Sequence, residues 1–247
     1  MDYVKGVLLA ALLCLLCVFL PQGGMGTGAD MGAGIRMGKE QMVELLSARM
    51  EKIRSLGITE ADESMEETIK AEWKDASYGF FDGGENTEAA IDACIFQHIG
   101  GGKLDYESWE WTPGSKQVYM FDVEVFDVGN MYTNFMKGIL PLMDGEVSIT
   151  DIEEDLSGVD MESGNGVQVL RFKCNGNPYE FRAEAYYDWM DMRVVDFMNG
   201  VLETEQAEKR LWVSSDGYQG CIIFFNTKEW AKEFRRIMGY GLSNGAD

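Results

Sequence analysis

The chain has 247 residues, 46% of them hydrophobic, with 42 acidic side chains against 21 basic ones and a formal net charge of −21. The apolar content excludes a disordered body. The charge repels phosphate backbones and anionic lipid heads, which argues against nucleic acid as a partner and leaves a basic protein, a cation-rich envelope or bound calcium as better matches, with solubility as the plain alternative.

Lys5 precedes an unbroken apolar run of fifteen residues, 6–20, closed by Pro21. A membrane-spanning helix needs about 20 apolar residues. Residues 1–24 therefore read as a secretory signal peptide, with a retained N-terminal anchor as the competing reading. Small residues place candidate cleavage points after Gly24 and Gly28. Lys5 lies before the run and Asp30 is the first charge after it, which orients the body outside the cytoplasm. Membrane contact is expected only through this segment, if it is retained. Leucine precedes both Cys14 and Cys17, where a lipid-attachment signal wants a small residue, so both read as apolar filler.

Residues 22–38 hold seven glycines in seventeen positions, a composition that stays flexible and buries little. Residues 25–38 are expected to be a linker. Gly24, Gly26 and Ala29 imitate a dinucleotide fingerprint, but no strand precedes them, so the required context is missing. Residues 39–247 are expected to form a single domain.

The body opens with helical periodicity. Met42, Leu45, Leu46, Met50 and Ile53 share one side of a helix over residues 39–55, ended by Gly57. A second helix is expected from Ser64, where Ser64 and Glu67 have capping-box spacing, to Trp73 or Tyr78. Asp82-Gly83-Gly84 reads as a turn. A third helix runs from Thr87 to His98, closed by Gly100 to Gly102. The period then shortens to two: Tyr119, Phe121, Val123 and Val125 share a face of a strand over 117–126. A short helix is expected over 130–140 and a strand over 147–152. The clearest hairpin joins 167–174 to 179–187 through Asn175-Gly176-Asn177-Pro178. Asp188 and Asp191 then open a helix to about Glu203, at the positive end of its dipole, with Trp189 among its apolar positions. A second hairpin joins 210–215 to 219–225 through Asp216-Gly217. Asn226 and Glu229 cap the last helix, and Gly239 stops it. The pattern predicts an α+β fold: N-terminal helices, then an antiparallel sheet of five or six strands, built of hairpins, with helices packed on one face.

The single histidine, His98, excludes multi-histidine zinc sites. The chain contains no GxSxG elbow. Gly100-Gly101-Gly102-Lys103 is no phosphate loop: Gln97 takes the first glycine position, and Leu104 stands where a hydroxyl must bind magnesium. The body carries three cysteines, Cys94, Cys174 and Cys221, which allow at most one bridge.

Three constellations remain. Cys94 and His98 are four apart on a helix and share a face, the arrangement in which a histidine activates a thiol. Nucleophilic cysteines generally sit at helix N-termini, however, and Cys94 falls mid-helix on the apolar stripe, as a core residue would. The second is the acidic run from Asp144 to Glu162. Its Asp151, Glu153, Glu154 and Asp155 are candidate calcium ligands, although the ordered calcium-loop pattern is missing and a solvated acidic loop is the simpler reading. The third is aromatic. Tyr186, Tyr187, Trp189, Trp212 and Tyr218 cluster around the two hairpins, and Trp109 and Trp111 flank a loop. Exposed aromatics beside carboxylates stack sugars or clasp proteins. Tyr218, Asp216, Trp212 and Tyr186 are the candidate binding residues, with Tyr218 foremost.

The expectation is a non-enzymatic extracytoplasmic domain that binds a protein or envelope ligand through an acidic surface. The alternatives are a cysteine-dependent or carboxylate hydrolase, or a calcium-stabilised structural domain. No cofactor besides calcium is indicated.

Overall fold

The computed structural model describes residues 38–75, 87–105, 107–108 and 110–245. The signal or anchor segment, nearly all of the linker, the Asp82-Gly83-Gly84 turn and Trp109 lie outside the described residues. The described chain forms helices α1 (Lys39–Ser55), α2 (Glu63–Asp75) and α3 (Thr87–Gly100), then strands β1 (Lys103–Asp105), β2 (Glu110–Thr112) and β3 (Tyr119–Asp122). Helix α4 (Met131–Ile139) and strands β4 (Ile149–Asp160), β5 (Asn165–Cys174) and β6 (Asn177–Tyr186) follow, and then α5 (Arg193–Thr204), β7 (Arg210–Ser215), β8 (Gly220–Asn226) and α6 (Lys228–Met238). The fold is α+β, with the helical region at the N-terminal side.

The strands divide into three antiparallel sheets, β1-β2, β3-β8-β7 and β4-β5-β6, where the sequence suggested one. The β3-β8-β7 sheet is the divider of the molecule. Met120, Trp212, Ile222 and Phe224 on one face join Leu46, Met50 and Ile53 of α1, Ile95 and Phe96 of α3, and Phe234 of α6 in one core. On the other face, Tyr119, Leu211, Cys221, Ile223 and Phe225 join Phe135 of α4, Val194 and Met198 of α5, and Leu170, Phe172 and Phe181 of the β4-β5-β6 sheet in a second core. Burial on both faces explains why β8 is an uninterrupted apolar run, whereas β5 and β6 alternate: one face of their sheet meets α5 and the other meets water. Burying each large apolar side chain stabilises the fold by about 1.5–3 kcal/mol.

Local chemistry fixes the ends. The Asp62 carboxylate caps α2 by accepting from the Met65 N–H at 2.9 Å, so the cap lies two residues before the expected Ser64. Thr227, rather than Asn226, caps α6 by accepting from the Trp230 N–H. Gly239 ends α6 with φ 89°, as expected of a helix-terminating glycine. Among the described residues no helix is long and apolar enough to cross a membrane.

The acidic run is a strand over most of its length rather than a loop. Residues 149–160 form β4, the longest strand, bent by register shifts between Thr150 and Glu153 and between Asp155 and Gly158. Bulges twist an edge strand away from unwanted pairing.

Candidate interaction surface

Among the described residues the exposed large apolar side chains are Phe126, Met161, Tyr186, Tyr187, Trp189 and Tyr218, and the backbone ties the turns that carry them into one edge. Val123 N–H donates to the Gln219 carbonyl at 3.0 Å, and Val125 N–H to the Asp188 carbonyl at 2.8 Å, so the segment after β3 bridges the β6–α5 turn and the β7–β8 turn. Glu124 pairs with Trp189 across an isolated bridge, and the Gln219 amide donates to the Glu124 carboxylate at 2.5 Å. The β4–β5 turn, which carries Met161, joins the same edge: Tyr187 N–H donates to the Gly164 carbonyl at 2.8 Å.

Each aromatic is presented by a specific backbone device. Asp216 accepts from the N–H groups of Tyr218 and Gly220, at 2.8 and 3.0 Å, and closes the turn around Gly217 (φ 88°). That turn leaves Tyr218 73% exposed. Asp216 thus builds the turn that projects Tyr218. Tyr187 has left the β6 alternation with φ 52°, and its ring lies over Gly164, where a Cβ would sit 2.4 Å away. Tyr186 and Tyr187 meet edge to face, with centroids 5.6 Å apart. Trp189, expected on the apolar side of a helix, instead precedes α5 in the bridge and is 38% exposed.

Carboxylates flank these rings. Desolvation by its surroundings pushes the Asp122 carboxyl, exposed at the end of β3, above its ordinary range, against the pull of the Glu124 N–H, and the neighbouring charges of Glu124, Asp216 and Asp188 raise it further. Among the described residues none of these four acids is held in an ion pair. The edge is therefore apolar, aromatic and negative together.

Trp212, a candidate for the same surface, is not available to a partner. It is 8% exposed, packed in the core shared with α1 and α6, and its indole N–H donates to the Asn226 carbonyl at 2.9 Å. Its neighbours on β7 point to the opposite core, and both faces of that sheet are covered, so alternation did not bring it to solvent. Tyr186 and Tyr218 do share the edge. Phe126 and Met161, and the acids Asp122 and Glu124, escaped the sequence reading. Phe126 carried a faint signal, being an aromatic out of phase with the Tyr119, Phe121, Val123, Val125 face.

The calcium candidates divide between the two faces of β4. Successive strand residues point to opposite faces, which sets Asp151, Glu153 and Asp155 on the outer face and Glu154 on the other. Asp151 pairs with Lys173 at 2.8 Å, and Asp155 with Arg171 at 3.3 Å. Hydrogen bonds from Ser157 and Arg171 hold the Asp155 carboxyl down at about 2. Glu154 turns to the other side and accepts from the N–H groups of Tyr132 and Thr133, at 3.0 and 2.8 Å, capping α4 from a neighbouring strand. Glu153 stays on the outer face opposite Arg171, in a shallow cavity of about 430 Å³ shared with Asp151, Lys173 and Glu180. Among the described residues no group of three or more His, Cys, Asp or Glu is arranged to hold a metal ion.

Cys94 and His98 do meet. Cys94 Sγ lies 3.8 Å from His98 Nδ1, and Nε2 lies 2.9 Å from Glu72 Oε2 on α2. Glu72 was not legible beforehand, because no local pattern links α2 to α3 at that position. Cys94, Cys174 and Cys221 are all free thiols. No protein-family model, no curated protein and no solved structure matches this chain.

Proposed function

We propose that this protein is a non-enzymatic extracytoplasmic binding domain whose aromatic, acid-flanked edge recognises a basic protein or envelope ligand. The observation that carries this reading is that backbone hydrogen bonds join the turns carrying six large exposed apolar side chains. A patch of that kind on a water-facing edge is costly unless something covers it. Tyrosine and tryptophan are the residues that dominate protein interfaces, because they offer large contact areas at low cost in side-chain entropy. The surrounding carboxylates, and the net charge of −21, select a cationic partner and speed its approach. The apolar run and Lys5 at the N-terminus support delivery outside the cytoplasm, with membrane contact confined to that segment if it is retained.

The test is affinity capture from the secreted and envelope proteins of the source organism on the immobilised full chain. A partner retained near one-to-one, released by raised salt and lost on the Tyr186→Ala/Tyr218→Ala variant is expected. Equal retention by the variant, or no retained partner, contradicts the reading.

A further inference from the structure

The binding edge makes no use of the cysteine–histidine pair on the far side of the β3-β8-β7 sheet. Both His98 ring nitrogens face acceptors. Nδ1 lies 2.8 Å from the Cys94 carbonyl oxygen, and Nε2 lies 2.9 Å from the Glu72 carboxylate. The ring form that satisfies both is the imidazolium, with one N–H donated to each. The contacts with Cys94 and Glu72 push the ring up to about 9, against the opposing effect of burial, so the cation persists at neutral pH. Cys94 Sγ, 3.8 Å from Nδ1, lies beside that fixed positive charge. A cation in that position stabilises negative charge on the sulfur as it attacks. The other charges between α1 and α3, namely Arg49, Glu88 and Asp92, are engaged with one another and leave the pair to Glu72. Cys94 is partly exposed, whereas Cys174 and Cys221 are buried. Burial pushes those two thiols up to about 11 and about 12.

We propose that Cys94 is a thiol-modification site, in which the His98 imidazolium, positioned by Glu72, directs the Cys94 sulfur onto small neutral or cationic disulfides to form a mixed disulfide on α3. Cys94 Sγ attacks one sulfur of the disulfide as the thiolate. A new S–S bond forms, the original S–S bond breaks, and the departing thiolate takes up the proton that the Cys94 thiol released to solvent. Cys94 is oxidised and the departing sulfur is reduced, so the exchange is balanced without a further oxidant. An oxidising extracytoplasmic compartment supplies such disulfides, and the net charge of −21 disfavours anionic ones. His98 and Glu72 act here as positioning residues.

The experiment exposes the full chain to 2-hydroxyethyl disulfide and follows each cysteine-containing peptide by mass spectrometry from about pH 5 to about pH 9. Cys94 is expected to gain the adduct at least about tenfold faster than Cys174 or Cys221. His98→Gln is expected to slow the Cys94 reaction about tenfold at about pH 6.5 and to change its pH profile, because the charge beside the sulfur is gone. Continued slow reaction of Cys174 and Cys221 in the variant reports an intact fold. Should His98→Gln fail to fold, Glu72→Gln carries the test and is expected to move the same profile in a folded chain. Cys94 reacting no faster than the buried thiols, or a pH profile unchanged by the variant that folds, overturns the proposal.

Discussion

Replacing Arg49 by methionine removes the charge that links α1 to α3 and to the end of α6. The Arg49 side chain is fully buried; Nε and Nη2 reach the two Asp92 carboxylate oxygens at 2.7 and 2.5 Å, Nη1 reaches Glu88 at 2.5 Å, and Nη2 also reaches the Met238 carbonyl at 3.2 Å. Methionine fills the space of the aliphatic stem but leaves Asp92, itself 0% exposed, without its cation. Breaking a buried pair on one side costs about 3–5 kcal/mol. For a chain of this size each kcal/mol corresponds to roughly 2–4 °C, so Tm is expected to fall by roughly 6–20 °C. The loss depends on pH with a defined sign. In the wild type burial pushes the Asp92 carboxyl up to about 6, opposed by Arg49. Removing Arg49 leaves the upward push without its main counterweight. The native variant then binds the Asp92 proton more tightly than the unfolded chain, whose aspartate titrates near 3.8, so stability falls as pH rises through that window. The destabilisation is therefore larger at about pH 8 than at about pH 5, and adding Asp92→Asn is expected to recover part of it at the higher pH. Urea unfolding of wild type, Arg49→Met and the double variant at both pH values provides the measurement. A loss below about 1 kcal/mol at about pH 8, or a loss independent of pH and of Asp92→Asn, refutes the reasoning.

Glu154→Ala is expected to cost about 1–3 kcal/mol in chemical denaturation, because it strands the first N–H groups of α4 and the Gln168 amide. Two helix glycines should respond in opposite directions. A Cβ at Gly138 of α4 meets the Tyr119 ring at 2.3 Å, whereas one at Gly200 of α5 meets nothing within 4 Å. Gly138→Ala is expected to lose about 1–3 kcal/mol through overpacking, and Gly200→Ala to gain about 0.5–1 kcal/mol, both read from Cm. Tyr218→Ala is expected to leave stability within about 0.5 kcal/mol of wild type in thermal melts, as for an exposed turn residue, while weakening capture of the partner.

The hairpin from Asn165 to Tyr186 was legible because Leu170, Phe172, Phe181 and Ala183 alternate with charged residues around an Asn-Gly turn. One face is dry and one is wet, and that contrast is written locally. The division of strands was not legible, because β3 pairs with β8 about a hundred residues later in the sequence and nothing near either strand names its partner. β4 was legible only at its start, within the strand expected over 147–152; its continuation to Asp160 escaped because aspartate and glutamate are poor strand formers, and there they are tolerated by pairing outward with Lys173 and Arg171, or by capping α4 through Glu154. The same limit applies to the surface. Tyr186 and Tyr218 stood out because each borders a tight turn, but the hydrogen bonds from Val123 and Val125 that bring their turns together are long-range backbone contacts. Trp212 was misplaced for a related reason: strand alternation predicts which residues share a face, and only the tertiary fold says whether that face is covered.

Hydroxyl-radical footprinting of the complex with its captured partner tests the central claim most directly, because aromatic and sulfur side chains report their own burial. Protection of Phe126, Met161, Tyr186, Tyr187, Trp189 and Tyr218 together is expected, with unchanged labelling of Pro178 and Lys173 on the outer face of the β4-β5-β6 sheet. Full reactivity of the six edge residues in the bound state, with protection elsewhere, would contradict it.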